Sequence, residues 1–311
     1  MVAAPRHVTA RHTDYVRSDA HEGTPVSDTL ATLANLLILT FVLTSMAALG
    51  VSLTLVQISR PLSNLKLVGM GLVANFVVAP LVAWGVAAVL GFSDSLTLGL
   101  LLLGTAAGAP FLPKLAGMSK GDVAYSVGLM ILLMVVTIAY IPLVLVPLVE
   151  GIEVGAWDIA KPLVFFMLIP LGIALGVRAR YPESAGIAPH LNQMSTVALA
   201  LGAVLALGIA LPDLIGAFGT GAFAGALLFV VLTTAGGYVL GGPSRGQRVV
   251  TGLGTGQRNI SAALLIATTS FTGDAEVFVM VMVGAALMMV VLLPLAAELG
   301  RRAALPDQQG S

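Results

Sequence analysis

"GTGQRNISAALLIA", Gly254 to Ala267, decides how this chain is read. It sets Gln257, Arg258 and Asn259 side by side within an apolar, Gly-rich run long enough to cross a bilayer. A permanent cation at such a depth is costly, so it marks either a ligand or ion pathway or a structural task. One such task is to hold backbone carbonyls released where the helix breaks.

Composition supports that setting. Of the 311 residues, 58% are hydrophobic and 10% charged, against roughly 45–50% apolar and about 25% charged in soluble domains. An integral membrane protein is predicted. The formal net charge of +0 gives no basis for binding nucleic acid. Cysteine is absent, which excludes disulfides, thiolate metal sites and thiol chemistry. His7, His12 and His21 fall in a polar tail and His190 in a loop, so neither a metal site nor Ser–His–acid catalysis is expected. Residues 1–28 lack the apolar run of ~7–15 residues of a signal peptide and read as a disordered tail.

Apolar runs of about 20 residues, the length that spans ~30 Å of hydrocarbon, then follow one another at 29–57, 64–91, 95–117, 122–149, 159–178, 192–212, 215–241, 248–271 and 275–299. The expected fold class is an all-α polytopic membrane protein of about nine transmembrane helices, closed by a cytoplasmic tail at 301–311. Alternate loops collect Arg60, Lys66, Lys120, Arg178, Arg180, Arg245, Arg248, Arg301 and Arg302; the other side collects Lys161 and the tail arginines Arg6, Arg11 and Arg17. Because basic loops stay cytoplasmic, the amino terminus is expected outside and the carboxyl terminus inside a plasma or inner membrane.

An internal repeat is visible. "GTAAGAPFLPKLAGMSKGDVAYSVGLM" from Gly104 can be laid over "GTGQRNISAALLIATTSFTGDAEVFVMVM" from Gly254, with Gly121-Asp122 matching Gly273-Asp274 and Pro142 matching Pro294. The copies begin five spans apart and so run in opposite directions, the inverted repeat common in secondary transporters; chance similarity of two Gly/Ala-rich stretches is the alternative. The first repeat is taken as 29–149 and the second as 150–300. Asp122 and Asp274 read as helix caps.

Gly108, Pro110 and Pro113 in the third span, and Gly254 and Gly256 in the eighth, are expected to break those helices, since proline removes a donor and glycine tolerates non-helical backbone. Paired breaks point to a central binding site; a glycine packing face is the other reading. Only Lys114 and Arg258 are charged well inside a span. Lys114, six residues before Lys120, is either a site residue or a side chain that snorkels to the surface. For Arg258, about ten residues from either end of its span, snorkelling is harder.

With these residues in place, the chain resembles the bile acid:sodium symporter family. "MAALGVSLT" from Met46, "NFVVAP" from Asn75, "KGDVAYSV" from Lys120 and "GTGQRNISAA" are similar, in order and spacing, to that family's segments. The resemblance implies two inverted halves, a core domain with two crossing broken helices, a panel domain beside it, and a missing first helix. It also implies departures. Gly254 and Arg258 stand where sodium-coupled members offer Glu and Gln, Leu112 and Pro113 where they offer a Ser-Asn pair, and Met130 where they offer Thr; Asn75, Ser126 and Asn259 keep an oxygen.

The expected function is therefore secondary transport of a small organic anion across the lipid bilayer, without enzymatic activity or cofactor. Arg258, joined by Lys114, stands in for bound sodium; proton coupling would fall to Lys114. The residues expected at the substrate or ion site are Arg258, Asn259, Gln257, Ser261, Lys114, Asn75, Ser126 and Thr105. A sodium-coupled symporter with rebuilt ion sites and an ion antiporter of related fold remain as alternatives. An intramembrane transferase is disfavoured because magnesium chemistry on phosphates needs carboxylates, and every acidic residue falls in a tail, in a loop or near a span end.

Overall fold

The computed structural model describes residues 25–54, 56–57, 63–148, 155–209 and 219–304. Residues 1–24 and 305–311 of the two expected tails, Arg60, and the 149/150 boundary between the repeats lie outside the described residues. All regular structure among the described residues is helical.

The elements are α1 (Pro25–Ser52), α2 (Leu65–Leu90), α3 (Asp94–Thr105), α4 (Leu112–Met118), α5 (Val123–Leu148), α6 (Ala156–Arg180), α7 (Ala188–Ile209), α8 (Ala222–Leu240), α9 (Arg245–Gly256), α10 (Ile260–Thr269) and α11 (Ala275–Arg302). Six of them, α1, α2, α5, α6, α8 and α11, are long and apolar enough to cross a membrane. Their outer faces carry large exposed apolar side chains such as Val89, Leu143, Val239 and Val290, a surface suited to lipid and not to water. The chain is thus an integral membrane protein. α1 begins at Pro25, four residues ahead of the predicted limit, and α11 runs through Arg301 and Arg302, which the sequence reading places in the tail.

Polar side chains set where helices begin. Asn64, Ser93, Asp122, Ser244, Asn259 and Asp274 each accept a bond from a backbone N–H three residues on, at 2.9 to 3.2 Å, satisfying donors that a helix start leaves unpaired. Asp122 and Asp274 are caps, as expected. Asp274 also accepts from Ser95 Oγ at 2.7 Å, and Asp122 N–H donates to Gly246 O at 3.4 Å. The start of α11 is thereby fixed to the start of α3, and the start of α5 to that of α9.

Short helices occupy the centre. α3 and α9 have 12 residues each and α10 has 10, about 15 to 18 Å of rise, so none crosses ~30 Å of hydrocarbon alone. Leu100, Leu101, Leu102 and Leu103 on α3, and Ala262 through Ile266 on α10, are at most 1% exposed; a helix apolar on every side is a helix wrapped on every side. Around them, α3 packs against α2, α5 and α11, and α9 against α8, whereas α1 packs mainly against α6 and α7. The α1, α6, α7 group meets the remainder through α5 and α10.

The first break covers residues 106–111, between α3 and α4. Gly108 adopts φ +83 there, and a Cβ at this position would lie 2.3 Å from Met134 N. Only glycine fits. Thr137 on α5 grips the irregular segment from the side, accepting from Ala107 N–H at 3.0 Å and donating to Ala107 O at 3.1 Å. The second break is shorter, Gln257 to Asn259, between α9 and α10.

Two of the predicted breakers do other work. Pro113 sits in the first turn of α4, where a missing N–H costs nothing. Gly254 lies inside α9; a Cβ on it would come 2.9 Å from Leu112 Cδ2, so this glycine provides close packing between α9 and α4 while the helix continues past it.

Candidate functional site

Arg258 is 0% exposed and heads the largest fully buried side chains. Three separate sources of unpaired oxygen explain how it survives there. The first is α2, where Pro80 has no N–H to return to Phe76 and the preceding turn widens into a π-turn, Ala74–Val78, with Ala79 N–H reaching Ala74 O. The carbonyls of Asn75 and Phe76 thereby lose their helical donors. Tyr140 Oη donates to Phe76 O; Arg258 Nη2 donates to Asn75 O at 3.4 Å.

The second source is the carboxyl end of α3, whose last carbonyls have no intrahelical partner. Arg258 Nε donates to Leu103 O at 2.8 Å and Nη2 to Gly104 O at 2.8 Å. The third is the end of α9, where Nη1 donates to Thr255 O at 3.0 Å. Asn75 Oδ1 completes the set, accepting from Nη1 at 2.9 Å, while Asn75 Nδ2 donates to Gly71 O at 3.0 Å and Thr255 Oγ1 at 3.2 Å. A guanidinium carries five N–H donors, and here five oxygens receive them.

No carboxylate balances the charge among the described residues. The dipoles of α3 and α9 do: both point their carboxyl ends at the guanidinium, and each end carries about half a negative charge. Two such ends amount to roughly one unit. Arg258 N–H donates to Met288 Sδ at 3.2 Å, and Asn259 N–H donates to Ala106 O at 2.8 Å, so the two breaks are hydrogen-bonded to each other directly.

The other expected site residues divide. Gln257 and Asn259 flank Arg258 and are 1% and 0% exposed. Asn259 Oδ1 caps α10 by accepting from Ala262 N–H at 3.1 Å. Gln257 Oε1 and Asn259 Nδ2 are buried and have no hydrogen-bond partner among the described residues, a deficit of about 1–3 kcal/mol for each group if nothing fills it. Ser261 is buried in the first turn of α10. Thr105 is buried at the end of α3 but donates to Leu101 O and Leu102 O of its own helix. Ser126 donates to Val123 O at 2.6 Å, within its own turn. Neither hydroxyl bonds to the guanidinium.

Lys114 stands apart. It is exposed on α4, with Nζ 5.0 Å from the centre of the Phe111 ring, and takes no part in the cage around Arg258. The residues that sequence reasoning missed are Leu103, Gly104, Thr255, Thr137, Tyr140 and Met288. Pro80 was the available signal for Asn75 and Tyr140; main-chain acceptors leave no mark on side-chain chemistry.

A cleft of about 370 Å³ opens between α1, α10 and α11, lined by Asn35, Thr268, Phe271, Thr272 and Phe278 among others. It lies where the α1, α6, α7 group meets the rest of the protein.

Membrane-spanning helices packed around short helices separated by irregular backbone are an arrangement common among membrane transporters. The sequence matches the Sodium Bile acid symporter family over residues 36–216, more than half of the chain. The protein is a member of that family, as the early segments, Met46 and Asn75 among them, indicate. The match ends before α8, so α9, α10 and Arg258 lie beyond it. No individually curated protein matches the chain closely enough to stand as a relative.

Proposed function

We propose that this protein is a secondary transporter of a small organic anion that operates without bound sodium, because Arg258 occupies the crossing as a built-in cation. The observation that carries this reading is the saturation of all five guanidinium donors by Asn75, Leu103, Gly104 and Thr255. Hard oxygens converging from a side chain and several carbonyls are what a sodium ion takes as ligands. In this chain they take a tethered charge. The position that would hold a family carboxylate, Gly254, is pressed against Leu112, which supports the same conclusion.

On this reading the helices form nine spans, with α3–α4 and α9–α10 each counting as one broken span. The two halves, 29–149 and 150–300, are inverted repeats, the amino terminus is outside, and α1, α6 and α7 form a panel against which the remaining core moves in alternating access. Because Arg258 spends its donors on the protein, an anionic substrate meets other groups: Gln257 and Asn259 at the second break, the positive amino end of α10, and Lys114 on the accessible face of α4. Lys114 is then an element of the anion path and no substitute for sodium.

Thermal unfolding of the purified protein in sodium chloride against choline chloride, at equal ionic strength and with organic anions added, tests this. A ligand that binds only the folded state raises its stability. Stabilisation by an anion that is indifferent to sodium is the expected result; a sodium-specific rise refutes the proposal.

A further inference from the structure

α4 ends in a turn that usually asks for glycine. Gly121 N–H donates to Ala116 O at 2.8 Å and Lys120 N–H to Gly117 O at 3.2 Å, a pair of bonds that puts the residue at Lys120 in the left-handed region. Lys120, at φ 53, is the one non-glycine residue with positive φ among the described residues. A lysine there carries strain that a glycine would not, which points to a task for its side chain.

Three cations from distant parts of the chain are brought to the same corner. Near the end of α11, Gly300 lies so close to the end of α4 that a Cβ on it would run into Met118 O. Arg245, at the start of α9, donates from Nη2 to Leu299 O at 2.5 Å. Arg301 and Arg302 follow directly and share one carboxylate: Glu298 Oε2 lies 2.7 Å from Arg301 Nη2 and Oε1 2.6 Å from Arg302 Nε. Their side chains are nevertheless 75% and 72% exposed, and Lys120 and Arg245 are exposed as well. The four cations face two acids, Glu298 and Asp122, so the corner keeps a net positive charge.

The apolar side of α11 indicates the partner. Ala286, Val290, Pro294 and Ala297 are exposed and fall at helical spacing along one face of this membrane-spanning helix. That face ends at Arg301. An apolar stripe in the membrane, topped by cations at its end, has the layout of a phospholipid: a tail along the stripe and a phosphate among guanidiniums, which bind phosphate oxygens two at a time.

We propose that an anionic phospholipid docks at this corner, its headgroup held by Lys120, Arg245, Arg301 and Arg302 and an acyl chain laid along α11. α4 runs to this corner from the first break, and α9 runs from it to the second. A lipid bound here ties the ends of α4, α9 and α11 together, at a distance from the cage around Arg258.

The experiment follows thermal unfolding of the full-length protein in a neutral detergent as dioleoylphosphatidylglycerol, dioleoylphosphatidylcholine or glycerol phosphate is added, the last offering a headgroup without tails. Phosphatidylglycerol should raise the melting temperature, because a ligand of the folded state stabilises it; the other two should not. Lys120→Gly removes a cation and relieves the turn together. Without lipid it should melt no lower than the parent, and its dissociation constant for phosphatidylglycerol should be about fivefold weaker. Arg301→Gln combined with Arg302→Gln should weaken binding about twentyfold, and this pair serves if Lys120→Gly does not fold. Arg180→Gln, which removes an exposed cation from the end of α6, should bind as the parent does. Equal stabilisation by the two phospholipids, or as large a loss in Arg180→Gln, reduces the effect to bulk lipid or general surface charge and overturns the site. A shift from glycerol phosphate as large as that from the lipid overturns the lipid as occupant. Binding that is unchanged in Lys120→Gly and in the arginine pair overturns the residues assigned.

Discussion

Replacing Arg258 with alanine removes five donors and leaves the carbonyls of Asn75, Leu103, Gly104 and Thr255, with Asn75 Oδ1, buried and unpaired. At about 1 kcal/mol for each stranded acceptor, the low end of the range, the loss is about 5 kcal/mol. That is a large part of a total stability of roughly 5–15 kcal/mol. The facing carboxyl ends of α3 and α9 add to it, since the charge that balanced both dipoles is gone. At about 2 °C per kcal/mol for a chain of this size, Arg258→Ala should melt about 10 °C below the parent in choline chloride. The vacated cage is, however, an oxygen-lined site for a small cation. Sodium at a hundredfold excess over its dissociation constant restores about 2.7 kcal/mol, or about 5 °C. The assay is a thermal melt of both proteins in choline, sodium and potassium chloride at equal ionic strength. A variant that melts with the parent in choline shows that the five bonds do not hold the crossing together. A parent that gains from sodium while the variant does not shows that the cation site lies elsewhere.

Three further predictions follow from packing and hydrogen bonding. Gly108→Ala places a Cβ 2.3 Å from the main-chain nitrogen of Met134 in a left-handed conformation, so the folded yield should collapse, read by size-exclusion chromatography, and no side-chain change nearby should rescue it. Gly254→Ala meets the Leu112 side chain, Cδ2 nearest at 2.9 Å, and pairing it with Leu112→Ala should recover most of the loss; in a double-mutant cycle the two should couple by about 0.5–3 kcal/mol. Tyr140→Phe keeps the ring contact with Phe76, whose centroid lies 4.6 Å away, but strands Phe76 O, and should cost about 1–3 kcal/mol in a thermal melt.

Much of the architecture was legible because lipid makes it so. A bilayer needs long apolar runs, and these are visible in the order of residues along the chain. The island of Gln257, Arg258 and Asn259 and the prolines at 80, 110 and 113 likewise stand out against that background. The use made of them was less accessible. Gly254 looks like a breaker, yet α9 continues through it because Leu112 needs the space; only the partner helix reveals that. Lys114 and Arg258 are both cations within apolar stretches, but one lies on an exposed face of α4 and the other at a crossing of three elements, a distinction set by tertiary packing. Three of the four carbonyls around Arg258 belong to residues with unremarkable side chains, and no pattern of residue types announces them. Pro80 was the readable clue, through the donor it lacks.

Position 258 is also a trap for mutation. A lysine there has three donors for five oxygens, a glutamine two, and an apolar residue none, so each single step away from arginine lands on a protein with stranded oxygens beside two helix ends. Leaving that state calls for an ion from solution or for coordinated change at Asn75 and along α3 and α9. A crossing closed around a guanidinium in this way should therefore lose stability with any single substitution of Arg258.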